Sequence, residues 1–270
     1  MATFRKALTD YFPRESLKRS HAQHEVPPAG VFLREVVAIC DSVTHCARHF
    51  ARKKDGSLTK DGSDSYHAIL TSSFAVMMSH FEIYQRQQFA EFINYLDFIK
   101  TVDDTQLAKG LEKQGCELSI IRLLAGRGDP REPGQIIADA LTGWHDPTKV
   151  NTLYSLVFRD LSFFSNEYCR ELSLMWQIRH SIVHTGGVIT REDCMKHSQL
   201  QGYQDRQLRF DEGFIVAVAR RFHIMLQKSL APIKVQVRNS LVTTVTEGED
   251  LDDWTNVICG YTSPRASWFK

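Results

Sequence analysis

Between Gln177 and Val188 the chain reads QIRHSIVHTGGV, with Arg179, His180 and His184 inside six residues and a Gly-Gly pair just behind them. Nowhere else do so many residues suited to phosphate chemistry stand so close together. Histidine exchanges protons near neutral pH, so a pair of them can remove one proton and deliver another. Arginine keeps its charge, and its planar fork binds two phosphate oxygens at once. Cleavage of an RNA phosphodiester asks for these functions together. The 2′-hydroxyl must lose a proton, the departing 5′-oxygen must gain one, and the phosphorane between them carries extra negative charge. That route needs no metal.

The spacing also constrains the geometry. At about 100° per residue, Leu161, Phe164, Tyr168, Leu172, Met175 and Ile182 share one apolar stripe of a helix, and Arg179 falls in the middle of it. A guanidinium cannot be left in a dry core, since it cannot shed its proton and its donors need partners. It must snorkel, meet a carboxylate such as Glu82 or Glu171, or stand where the stripe opens onto a cleft. His180 and His184, four apart, share a face beside that stripe. Arg179 and His184 are about 140° apart on a straight helix, so one helix does not aim both at one phosphate. A loosened last turn, or a second copy of the chain across a two-fold axis, would bring them together.

The elements that must position this helix can be read from periodicity. Residues 1–30 are polar and mixed in charge, end in Pro27-Pro28-Ala29-Gly30, and are expected to form an arm. Phe32, Val36, Ile39, Val43, Cys46 and Phe50 step by three and four, predicting a helix over 31–52. KKDGSLTKDGSDS at 53–65 is expected as a surface loop with two Asp-Gly breaks. A long helix follows over 66–99, with Leu70, Phe74, Met77, Phe81, Tyr84, Gln88, Phe92, Tyr95 and Ile99 on one near-heptad stripe that should pack along another helix. Residues 101–165 read as short helices broken at Gly110, Gly115, the 126–134 loop, Gly143 and Pro147. The Gly126/Gly128 loop lacks the ending of a phosphate-binding P-loop and reads as a turn. The motif helix should run over 163–185 with Gly186 as its left-handed cap. Residues 187–190 and 206–210 alternate enough to pair as a small β-hairpin. A last long helix is expected over 212–234. Beyond Arg238, LVTTVT reads as a strand and EGEDLDD as an acidic loop. The fold class is therefore mainly α, a helical bundle over 31–238 with an extension at 239–270.

Arg179-His-Ser-Ile-Val-His184 resembles the R-x4-6-H signature of the HEPN superfamily, including a polar residue directly after the arginine. The resemblance extends to context: a helix end, a following Gly-Gly, a preceding long helix with Phe81-Glu82, and a later amphipathic helix. It covers 66–234 and is most specific over 163–187. It implies a compact helical bundle that forms a homodimer, so that two motifs share one cleft. It further implies a metal-independent endoribonuclease, a toxin or phage-defence effector, in which Arg179 and His184 are catalytic and His180 assists. Glu82, Glu171 and Ser181 would support them, and a cognate antitoxin or defence partner protein would be expected. One branch of the family carries a tyrosine two residues after the motif histidine, where this chain has Gly186. The modification-based neutralisation associated with that branch is not expected.

Composition sets the outer limits. With 270 residues, 43% hydrophobic and 24% charged, the chain can bury a substantial core. Net charge is only +1, so an RNA partner requires a local basic patch. Arg220, Arg221 and Lys228 on the last long helix are the candidates. Six cysteines without a CxxC pair suggest reduced thiols in a cytoplasmic protein, and no apolar run is long enough for a membrane span. His180-x3-His184 with Cys194 and His197 offers a zinc site, but no glutamate follows the first histidine and no cysteine pair stands nearby. Neither metal nor cofactor is expected. The competing function is a non-catalytic HEPN-like subunit binding RNA, nucleotide or a protein.

Overall fold

The computed structural model describes residues 27–96, 102–118, 132–159, 161–240 and 251–261, excluding the side chains of 251–254. Thr59 opens the longest element: its hydroxyl accepts from the Gly62 amide at 3.2 Å and caps helix α2, Lys60–Asn94. α2 therefore starts inside the segment expected as a loop. The Asp61-Gly62 break is instead its first turn, where a side chain on Gly62 would crowd Thr59 Oγ1 and the Ala51 carbonyl. Only Asp55-Gly56 makes a turn, with Gly56 at φ 82°.

α2 is the axis of the molecule. Helix α1 (Pro28–His49) lies along it, as do α4 (Pro133–Ala140), α5 (Pro147–Val157), α6 (Asn166–Thr185), α8 (Glu212–Ser240) and α9 (Leu251–Cys259). The expected stripe is buried at Leu70, Phe74, Met77, Phe81, Tyr84, Gln88 and Phe92, but Met78, Gln85 and Phe89 are buried beside it. A single packing partner would not cover so wide a band; several helices do. Phe81 sits at their junction, with ring centroids 5.5 Å from Phe32 of α1, 4.6 Å from Phe222 of α8 and 6.0 Å from Phe164 just before α6. Each fully buried phenyl contributes about 1.5–3 kcal/mol relative to exposure. Both buried glutamines in this band use their donors: Gln85 Nε2 donates to the Trp144 carbonyl at 2.9 Å, and Gln88 Nε2 to the Ile258 carbonyl at 2.8 Å, while the Oε1 atom of each is buried with no partner among the described residues.

α3 (Asp104–Lys113) packs on α5 and runs straight through Gly110, which lies against Leu156, so Gly110 is a close-approach residue and not a break. Pro147 stands in the first turn of α5, where its missing amide donor costs nothing. α8 is longer than expected, continuing through Pro232 to Ser240. Pro28, Ala29 and Gly30 form the buried first turn of α1 and are not part of an arm. At the other end, Leu251, Asp252 and Asp253, read as acidic loop, begin α9, whose Ile258 and Cys259 are buried against the core. The rest of the arm, the Gly126/Gly128 loop, Ile99 and LVTTVT lie outside the described residues.

Among the described residues there is no strand. The segments expected as a hairpin after the motif helix meet at one antiparallel bridge, Val188 with Gln207. Three backbone hydrogen bonds hold it: Ile189 N to Arg206 O at 3.0 Å, Asp205 N to Ile189 O at 2.8 Å, and Leu208 N to Gly187 O at 2.9 Å. Gly187, at φ 83°, and the first turn of α7 (Arg191–Lys196) confine the pairing to too few residues for a ladder. No described helix is long and apolar enough to cross a membrane.

Candidate active site

The motif helix α6 is fixed at both ends. Before it, Asn151 of α5 clamps Phe164, accepting from its amide at 2.7 Å and donating to its carbonyl at 2.8 Å. Ser165 then caps the helix by accepting from the Tyr168 amide at 3.2 Å. At the far end Gly186 adopts φ 64°, ψ 24°, and the Gly187 amide turns back to the Ser181 carbonyl at 2.9 Å. The Gly186 amide reaches the same carbonyl in a six-to-one bond, and the left-handed glycine closes the helix there. The helix stays regular through Thr185, so no loosened last turn brings Arg179 and His184 together within one chain.

Three faces of α6 meet different surroundings. Leu172, Met175 and Trp176 enter the main core. Leu174 and Ile178 cover a smaller apolar cluster of Ile189, Cys194 and Leu200. His180 and His184 are exposed, with ring centroids 4.4 Å apart. Arg179 continues the core-facing stripe, but the stripe is emerging from the core here: Arg179 is half-buried, and Val183, one turn on, is 51% exposed. The Arg179 Nε atom is buried and has no hydrogen-bond partner among the described residues.

Neither expected carboxylate answers it. Glu171 is ion-paired with Arg221 of α8, which ties α6 to α8 and occupies a side chain foreseen for RNA contact. Glu82 is half-buried on α2 and makes no ion pair among the described residues. Arg220 and Lys228 are exposed on α8. Ser181 is fully buried and points away from solvent, donating to the Gln177 carbonyl at 3.0 Å and lying 3.2 Å from Asp193 Oδ2.

Asp193 is the residue that sequence reasoning passed over. Its carboxylate, on α7, is 5% exposed and takes Gln177 Nε2 at 2.6 Å, the Thr190 amide at 2.7 Å and the Ser181 hydroxyl at 3.2 Å. Thr190 returns the contact by accepting from the Asp193 amide at 3.2 Å, completing a capping box. Burial by itself would raise the Asp193 carboxyl. The Thr190 amide and side chain, the Ser181 hydroxyl and the nearby charge of His180 outweigh it and hold the group below the ordinary carboxylate range. The legible signal was Thr190-x-x-Asp193 itself, a capping-box spacing.

No group of three or more His, Cys, Asp or Glu among the described residues is placed to hold a metal ion. The described cysteines are unpaired thiols, and burial pushes Cys40 and Cys259 up to about 12, which removes them as nucleophiles. An apolar groove of about 460 Å³ between α1 and α2, lined by Ile39, Ile69 and Val76 among others, contains none of the motif residues. Compared with protein-family models, with curated proteins and with solved structures, the chain matches none.

Proposed function

We propose that this chain is a metal-independent endoribonuclease of HEPN type that works as a homodimer. Arg179 binds the scissile phosphate and stabilises the phosphorane. His184 transfers a proton at the 2′- or 5′-oxygen, with His180 beside it. Attack by the 2′-hydroxyl leaves a 2′,3′-cyclic phosphate on the upstream fragment and a free 5′-hydroxyl on the downstream one. A role as toxin or phage-defence effector fits such an activity.

One observation carries the proposal: an arginine at the mouth of the core whose Nε is buried without a partner among the described residues, beside two exposed histidines. A buried guanidinium donor left unsatisfied is costly to keep, and a phosphate supplies what it lacks. The regular helix supports a second copy as the source of the complementary half, since Arg179 and His184 diverge by about 140° on one helix. Val183 on the motif helix, and Val188, Met195 and Tyr203 on the segment clamped to it, are exposed apolar side chains that a second chain would cover. To test this, purified protein in EDTA is mixed with structured cellular RNA beside Arg179→Ala and His184→Ala. Cleavage with cyclic-phosphate ends by the wild type alone is expected, and equal cleavage by all three proteins rejects the assignment.

A further inference from the structure

We propose that Asp193 is a positioning residue for the motif, fixing the rotation of the last two turns of α6 and thereby the direction in which Arg179 and the two histidines point. The inference rests on the ribonuclease reading for its kinetic consequence, though not for its structural one.

Gln177 and Ser181 are one turn apart on the same face of α6, and the single carboxylate of Asp193 holds both. Two anchors on one face, both gripped from outside the helix, restrain rotation about the axis as well as translation along it. Arg179 stands midway between them in sequence and, at about 100° per residue, close to the opposite face. Any roll that loosened the clamp would swing the guanidinium by the same angle. The donor inventory explains why the residue is an aspartate. Gln177 Nε2 and the Thr190 amide donate to its two different oxygens, and Ser181 Oγ, whose one proton is shared with the Gln177 carbonyl, lies 3.2 Å from the second, so the receiving group must be acceptor-only. An asparagine would turn an NH2 toward at least one of these donors. The clamp also works from the far side: Asp193 belongs to the 186–210 segment, which is fastened by its own capping box, by the Val188–Gln207 bridge and by the Ile189–Cys194–Leu200 cluster.

The test compares Asp193→Asn with Asp193→Glu and with Leu200→Ala, which loosens the same segment without touching the clamp. Cleavage is measured at a temperature where every variant is folded by circular dichroism. Expected for Asp193→Asn is a fall in kcat of roughly a hundredfold with little change in KM, the size a displacement of about 1 Å produces. Asp193→Glu, which keeps an acceptor-only group, should recover part of it, while Leu200→Ala stays near wild type. Equal losses in Asp193→Asn and Leu200→Ala overturn the proposal. A wild type that cleaves no RNA defeats the ribonuclease reading but not this one, which is then decided by the imidazole NMR signals of His180 and His184. Those signals should move in Asp193→Asn and stay in place in Leu200→Ala; signals unmoved in both variants refute the positioning role.

Discussion

Replacing Arg179 by methionine should make the protein more stable while abolishing RNA cleavage. Arg179 continues the stripe of Leu172 and Met175 into the mouth of the core, and its Nε lies buried with no partner among the described residues. An unsatisfied buried donor costs about 1–3 kcal/mol. Methionine keeps most of the aliphatic stem, and its flexibility lets it fill the same volume, so lost packing should take back less than about 1.5 kcal/mol. The balance is a gain of about 1 kcal/mol. For a protein near this size that corresponds to a rise in Tm of about 2–4 °C. Urea unfolding followed by tryptophan fluorescence gives the change in midpoint and checks that the slope is unchanged. Stability gained where activity is lost marks a residue kept for function against its folding cost. A loss of 1 kcal/mol or more would mean that the guanidinium supports the fold through partners of its own, and the argument for a phosphate at this position would fail.

Two further predictions concern the fold and its pH dependence. Gly134→Ala should destabilise by about 1–3 kcal/mol, because a methyl there would overlap the Ala90 carbonyl oxygen of α2 and crowd Asn94, whose Oδ1 accepts from the Gly134 amide at 2.7 Å; wild-type-like thermal unfolding would contradict the tight α2–α4 contact. Stability should be greatest near neutral pH and fall in two stages on acidification. His67, His197 and His223 are all lowered by burial from 6.5, so below that value the unfolded chain takes up more protons than the folded one and stability declines. Asp193, held below its ordinary 3.8, adds a second decline as pH drops through that value toward its folded one. Urea midpoints measured from pH 7.5 to 3 follow this, and a midpoint that rises between pH 7 and 5.5 would contradict it.

Much of the helical frame was legible because its signals are local. The near-heptad stripe of α2, the cap at Gly186 and the inward face of α8 at Ile215, Phe222 and Leu226 all reappear as buried positions or helix ends. Boundaries drifted where a cap competed with a turn signal, as at Thr59, where Asp61-Gly62 reads as a break until Ala51 and Thr59 are seen packed against the glycine. Three features of the site were not legible, each for a separate reason. Glu171 and Arg221 are fifty residues apart, and nothing in either neighbourhood announces the pairing. Gln177 and Ser181 are buried polar residues because a carboxylate from outside the helix satisfies them, and Ser181, expected to support the catalytic residues, faces that carboxylate instead. The bridge after α6 shows an alternating pattern too short to form a strand once Gly187 and α7 limit it.

The aromatic junction around Phe81 has a consequence for when the motif can act. Phe32, Phe81, Phe164 and Phe222 come from four parts of the chain, and the last of them is made after the whole of Arg179–His184 has been synthesised. A nascent chain that has just completed the motif helix still lacks the ring that closes the socket behind it. Packing that depends on contacts so distant in sequence forms late and as a unit. While it is still being translated, the chain carries Arg179 and its histidines on a helix with no finished core to rest on. On the ribonuclease reading proposed above, that delay keeps the motif inert beside the ribosome and messenger that are producing it.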